Sequence, residues 1–368
     1  MKNSILLFLA ILFISCGTSK SSSQSQTVAN TAPATPETPS AIRINLVKNE
    51  KEGEKAVKKV DLAKSYAENI IEDDLKKLVY TLASDEYEGR LTGEKGQKIA
   101  AQFIIDHYKK LGISAANADG NYLQPIPVEY FRGRSKDASE NVIAYIKGSE
   151  KPDEYVVISA HYDHLGQKGE KIYNGADDDA SGTSAVLQIA KAFQQAVMDG
   201  NGPKRSIVFL NVTGEEEGLF GSKYYTENPI FSLENTVVNL NIDMVGRFDQ
   251  KHTDHPEFVY LIGADKLSSE LHDLSEATNK KYTNLILDYT YNDENDPNRF
   301  YYRSDHYNFA KNNVPIIFYF NGVHEDYHKP TDTADKIRYD LLQKRAQLVF
   351  YTAWEIANRE NRLVVDKK

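Results

Sequence analysis

The sequence predicts an α/β fold: a mostly parallel mixed sheet flanked by helices on both faces. Two observations carry that prediction. Short apolar runs that read as buried strands alternate with amphipathic stretches whose apolar residues recur every three or four positions. Such alternation means parallel strands whose crossover helices cover both faces of the sheet. With 368 residues, 40% hydrophobic and 26% charged, the chain has ordinary globular composition and enough length for one large α/β domain or two small ones.

The elements follow in order. Asp61 to Tyr80 has helical spacing, Ser84–Gly93 is a loop, and Gly96–Leu111 is an amphipathic helix closed by Gly112. Together these form a helical part over about 61–115. Strands are expected at Asn141–Ile146 and Glu154–Ala160, followed by a helix over Ser181–Met198. Further strands are expected at Ile207–Val212, Thr236–Ile242 and Phe258–Ile262, then a helix over about Asp265–Asn279. Strands at Leu285–Tyr289 and Pro315–Phe320 and a last helix over about Tyr339–Asn358 complete the series. No internal repeat interrupts it.

The first residues belong to a different regime. Lys2 precedes an apolar run from Ile5 to Ile14, the layout of an export signal. Ten helical residues reach only about 15 Å, half a bilayer core, so this run does not span a membrane. The run ends at Phe13-Ile14-Ser15-Cys16, which resembles a bacterial lipoprotein signal, although Phe13 stands where leucine is usual. The resemblance implies removal of residues 1–15 and lipidation of Cys16. A plain secretory signal with an incidental cysteine is the competing reading. Residues 16–45, rich in Ser, Thr, Pro, Ala and Gln, read as a disordered tether, which leaves 46–368 as the folded domain. The expectation is an exported protein held on a membrane of the cell envelope.

Cys16 is the only cysteine, so internal disulfides, thiol nucleophiles and cysteine metal sites are excluded. Any metal must be held by His, Asp and Glu. The net charge of -9 argues against nucleic-acid binding, which needs a basic footprint.

Five segments carry such residues at or just past strand ends. They are His161-Tyr162-Asp163-His164, the loop Gly175-Ala176-Asp177-Asp178-Asp179-Ala180-Ser181-Gly182, Glu215-Glu216, Asp243-Met244, and Tyr327-His328 with Asp332 beyond it. Taken singly, each has an ordinary explanation. Glu215-Glu216-Glu217 could be a solvated acidic turn, and the Asp run could be a helix N-cap with dipole-favoured acids. Taken together they bring two imidazoles and several carboxylates to one sheet edge, where open α/β folds bind ligands. That set suits Zn²⁺ or a pair of such ions. Adjacent carboxylates at such an edge repel unless a cation lies between them, and one glutamate can then ligate while its neighbour acts as a base.

His-x-Asp, Gly-Ala-Asp-Asp-Asp-Ala-Ser-Gly, Glu-Glu-x-Gly-Leu-x-Gly-Ser, Asn-x-Asp-Met and a late His resemble the M28 family of zinc aminopeptidases over roughly Asp61–Asn358. The resemblance implies the zinc-exopeptidase (phosphorylase/hydrolase-like) architecture, peptide substrates and two zinc ions per chain. By the resemblance, Asp177 bridges both ions, Glu216 and His328 complete one site, and His161 and Asp243 complete the other. Glu215 becomes the general base and Asp163 orients the His161 imidazole. Asp178 falls where the family has a cis peptide. Asp305 belongs to a Ser-Asp-His segment, and Tyr301 is the implied oxyanion donor, with Tyr302 as its rival. The same fold also admits a glutaminyl cyclase, a carboxypeptidase or dipeptidase, and an inactive peptide-binding lipoprotein. Loops 249–257 and 292–302 are the expected pocket walls.

Overall fold

The structure, a computed structural model, describes residues 60–367. The signal segment, the tether and Cys16 lie outside the described residues. Asp61 caps α1 (Leu62–Ala67) by accepting from the Lys64 N–H. The single helix expected over Asp61–Tyr80 is in fact two. The chain turns at Asn69, whose side chain donates to the Tyr66 carbonyl, and restarts as α2 (Glu72–Leu82). Glu72, Asp73 and Asp74 occupy the first turn of α2, where acids suit the helix N-terminus. Then α3 (Lys95–Leu111) ends on Gly112 at φ 72, as its sequence predicts.

The strands are β1 (Ser114–Ala115), β2 (Leu123–Ile126), β3 (Ser139–Ile146), β4 (Lys151–His161), β5 (Gln167–Lys168), β6 (Lys171–Ile172), β7 (Arg205–Val212), β8 (Thr236–Ile242), β9 (Phe258–Ile262), β10 (Ile286–Asp288) and β11 (Ile316–Phe320). The remaining helices are α4 (Gly182–Met198), α5 (Phe220–Glu227), α6 (Ser269–Tyr282), α7 (His306–Ala310) and α8 (Tyr339–Asn358).

Nine strands form one sheet in the order β1-β3-β7-β4-β8-β11-β9-β10, with β2 on β3, while β5 and β6 pair separately. The centre is parallel: β7, β4, β8 and β11 run together. On the flanks β3 is antiparallel to β7, and β9 is antiparallel to β11. The expectation of mostly parallel pairing therefore holds for the centre, where every residue of β7 and β8 is buried. Helices α1, α2, α3, α4 and α8 share the main core with one face of the sheet. Tyr225 of α5 and Phe309 of α7 pack on the other face with Val157 and Leu210. Covering both faces leaves the carboxyl ends of β4, β7, β8 and β11 as the place where polar side chains emerge.

Candidate metal centre

The last residue of β4 is His161, one strand away from the Glu215-Glu216 turn after β7 and, on its other side, from Asp243 after β8. The parallel centre thus delivers three of the expected groups to one edge. The turn after β7 is tight. Gly221 sits where any Cβ would collide with the Thr213 carbonyl oxygen, so the chain can double back there only on glycine.

Asp178 lies between the two imidazoles. Its Oδ1 is 3.2 Å from His161 Nε2 and its Oδ2 is 3.1 Å from His328 Nε2. Asp243 Oδ1 approaches the same His161 nitrogen at 3.6 Å, and Glu216 Oε2 approaches that of His328 at 3.2 Å. Bonds of about 2.0–2.1 Å to zinc set ligand atoms about 3.3 Å apart in a tetrahedron. The observed separations fit two such tetrahedra sharing the Asp178 carboxylate. The donor set of imidazoles and carboxylates suits zinc as well.

Asp177, the expected bridge, does not lie between the imidazoles; that place is taken by Asp178, one residue on. The buried Asp177 carboxylate accepts from the Gly246 N–H at 2.6 Å and from Ser181 Oγ at 3.1 Å, and it faces His324 Nε2 at 3.1 Å. The backbone explains the shift. Asp178 and Asp179 leave the helical path (φ -105, ψ 94 and φ -126, ψ 45), so three consecutive carboxylates point in three directions. Asp179 Oδ1 accepts from the Gly182 and Met244 N–H groups and caps α4. The cis peptide joins Asp178 to Asp179. Asp332 Oδ2 accepts from the main-chain N–H of both Asp177 and Asp178, at 3.0 and 3.2 Å, and pins the turn.

The supporting residues are partly those expected. His161 Nδ1 faces the Asp163 main-chain carbonyl at 3.2 Å, with the Asp163 carboxylate at 3.7 Å. That carboxylate instead accepts from the Glu215 N–H (3.2 Å) and from Thr92 Oγ1 (2.8 Å), so it ties the His161 loop to the candidate base. Asp305 is buried with neither oxygen in hydrogen-bonding geometry, and burial pushes its carboxyl up to about 7. Its neighbour Ser304 makes the contact, donating to Asp243 Oδ2 at 2.6 Å.

Tyr301 is not at the centre. Its ring packs on Gly263 and beneath Lys266, bordering a separate cavity with Asn292 and Arg299. Tyr302, its rival, borders the same separate cavity. The tyrosine that lines the cavity with Asp178, Glu215 and His328 is Tyr327, stacked on the His328 ring. This cavity has an apolar wall of Met244, Phe300, Phe318 and Phe320. Loop 292–302 contributes Phe300 to it. Loop 249–257 contributes nothing, being held away by Asp249, which binds Tyr260 and His252.

His164, Ser304, Tyr327 and Asp332 were missed as site residues. All four stand inside motifs the sequence singles out, but a run of letters does not say which side chain turns inward. Electrostatics favour a cation here. Asp163, Asp178, Glu215, Glu216, Asp243 and Asp305 crowd one end of the sheet. Burial alone would lower the His328 imidazole, yet Asp178 and Glu216 outweigh it and lift it to about 10. The buried guanidinium beside them, Arg90, gives its bonds to the carbonyls of Leu82, Tyr162, Asn174 and Gly175 and offers none to the carboxylates.

The profile of peptidase family M28 matches residues 141–353. Aminopeptidase YwaD of Bacillus subtilis (strain 168) is 27% identical over 242 residues, covering 64% of this chain and 48% of the relative. A probable zinc metalloprotease of Pyrenophora teres f. teres is 36% identical over 110 residues, 28% of this chain and 22% of the relative. This chain therefore spans half or less of the length of these curated relatives. Among solved structures, an aminopeptidase from Aneurinibacillus sp. strain AM-1 superposes with a TM-score of 0.63 at 17% identity, covering 83% of this chain and 98% of that one. The glutaminyl cyclase of Porphyromonas gingivalis gives 0.59 at 16% identity, covering 77% and 97%. At such identities the superpositions establish the fold alone.

Proposed function

We propose, from the premise that this chain belongs to peptidase family M28, that it is a two-zinc exopeptidase releasing N-terminal residues from peptides. The observation that carries the proposal is the Asp178 carboxylate set between two imidazole–carboxylate pairs, with Glu215 beside it on the cavity wall. In this reading His161 and Asp243 hold one ion, Glu216 and His328 the other, and Asp178 both. Bound zinc would polarise the scissile carbonyl and bring the pKa of water from near 16 toward neutrality.

The chain's own groups do the rest. Glu215 takes the proton from the attacking water and returns it to the leaving nitrogen. Burial, reinforced by the Asp243 and Glu216 charges, holds its carboxyl well above the usual range, which suits a group that must carry a proton between steps. Tyr327, which lines the cavity with Glu215 and His328, supplies the hydroxyl we assign to the developing oxyanion, and burial raises its pKa and keeps it protonated. Tyr327→Phe should lower kcat by about 10²-fold or more, whereas Tyr301→Phe should leave it unchanged. Met244, Phe300, Phe318 and Phe320 would take one apolar side chain.

A carboxypeptidase or dipeptidase reading has one observation in its favour. Arg303 lines the same cavity, stacked on Phe300, without an ion pair among the described residues, and could receive a substrate carboxylate. A peptide library, half of it N-acetylated, separates these readings when products are identified by mass spectrometry with and without chelator. Loss of single N-terminal residues from the free-amine half, abolished by chelator and restored by zinc, supports the aminopeptidase. Trimming from the other end, N-terminal cyclisation or intact peptides throughout would overturn it.

A further inference from the structure

Of the three aspartates in a row before α4, the first is buried away from the imidazoles, and its partners suggest why it is there. His324, also buried, lies four residues before His328 in the loop after β11. Its hydrogen bonds fix its tautomer. Nδ1 accepts from the Asp326 N–H at 3.3 Å, so the ring proton is on Nε2, which donates to Asp177 Oδ2 at 3.1 Å. The His324 carbonyl accepts from the Tyr327 N–H at 3.1 Å, so this one residue closes the turn that presents Tyr327 and His328. His328 itself sits at φ 57, a backbone conformation that a residue with a side chain seldom adopts unless its surroundings hold it there.

A second grip comes from beyond His328. Asp332, four residues after it, accepts from the Asp177 and Asp178 N–H groups, and its carbonyl accepts from the Ala176 N–H at 3.2 Å. His328 therefore lies midway along a segment bound on both sides to the turn that carries Asp178. Asp178 Oδ2 and His328 Nε2 are 3.1 Å apart, near the edge of about 3.3 Å between two ligands of one zinc ion. Neither Asp177 nor His324 belongs to a cluster of three metal-binding groups among the described residues, and both His324 nitrogens are engaged in hydrogen bonds. We propose that the Asp177–His324 hydrogen bond is the spacer of the metal centre. Asp177 is its anchor, and His324 is the positioning residue that sets His328 against Asp178. The first aspartate of the row thus has a task other than bridging. The inference rests on the two-ion reading above, and hydrogen-bonded groups that hold metal ligands in place commonly govern affinity.

The test titrates zinc into the metal-free full chain against a chromogenic chelator. The amide nitrogen of Gln reaches the place of Nε2, whereas that of Asn reaches only the place of Nδ1. In Asp177→Asn the remaining oxygen serves the Gly246 N–H, and the new amide meets the His324 N–H donor to donor. His324→Asn and Asp177→Asn should each weaken one of two zinc sites by about 10–100-fold and leave the other unchanged, while His324→Gln should keep most of the affinity. The double variant should bind zinc no more weakly than the worse single variant, because both changes remove the same bond. Wild-type affinity in His324→Asn, additive losses in the double variant, or His324→Gln no better than His324→Asn would overturn the proposal. So would equal weakening of both sites, the result of a general loss of structure or of bridging by Asp177. If His324→Asn fails to fold, the other single variants decide. Asp177→Asn weakening one site while His324→Gln keeps both would support the spacer, and any other result would overturn it. Wild-type protein taking up one zinc would sink the two-ion reading instead, leaving the same comparisons readable on that ion.

Discussion

At the scale of single residues, the centre is a problem of distributing like charges. Glu215 and Glu216 are adjacent, yet only Glu216 faces two imidazoles, while Glu215 lines the cavity. Glu215→Gln should keep both zinc ions and the fold but lower kcat by about 10²–10⁴-fold, as measured by turnover alongside metal content per chain. Asp305 gives a prediction in pH. Burial raises its folded carboxyl from 3.8 to about 7, so between those values the folded state holds a proton that the unfolded state releases. Its contribution is intact below about pH 4 and is lost as pH rises through 7. Asp305→Asn should therefore stabilise metal-free protein at pH 8 and have little effect at pH 4, measured by urea unfolding at both. Residue identities were legible from sequence to the extent that motifs are: His161, Glu216, Asp243 and His328 all meet at the centre. The carboxylate between the imidazoles is Asp178 and not Asp177, because three identical carboxylates stand in a row and only the backbone turn at Asp178 and Asp179 decides which one faces them.

At the scale of elements, the parallel centre of the sheet brings the site together and buried arginines hold its loops. Arg90 ties α2, the end of β4 and the Asn174-Gly175 turn through four carbonyls. Arg345 of α8 does the same for the segment after β8, donating to the Val245, Arg247 and Phe258 carbonyls. Arg90→Met would leave several buried carbonyls without donors and should cost at least about 3 kcal/mol in unfolding free energy, measured in urea. Hydrophobic spacing showed the longer strands and helices but not the short β1, β2, β5, β6 and α7, whose two to five residues hold too little pattern to read. It did not show the antiparallel flanks, because pairing direction depends on which strand lies alongside and not on a strand's own pattern. Nor did it show the break between α1 and α2, where the Asn69 and Ile70 N–H groups turn back to the Tyr66 and Ala67 carbonyls and the Asn69 side chain also donates to Tyr66. Tyr301 and Tyr327 show the same limit: both follow strands, and only the path of each loop determines which ring reaches the cavity.

At the scale of the whole molecule, the net charge of -9 and the apolar run before Cys16 describe a protein whose surroundings matter to its role. No helix among the described residues is long and apolar enough to cross a membrane. We propose that attachment comes from lipid on Cys16, and that the tether holds the catalytic domain off an envelope membrane. Cys16→Ala should move the protein from the membrane fraction to the soluble fraction without changing the turnover of the folded domain, as read by fractionation and assay. A variant that stays with the membrane would refute the anchor and leave the catalytic account untouched. That account stands on the carboxylate between the two imidazoles. The most direct test is an anomalous difference map recorded at the zinc edge from crystals of the zinc-loaded protein. Two peaks about 3.5–4 Å apart, one on each side of the Asp178 carboxylate, are the expected result. A single peak, or peaks on Asp177, would contradict it.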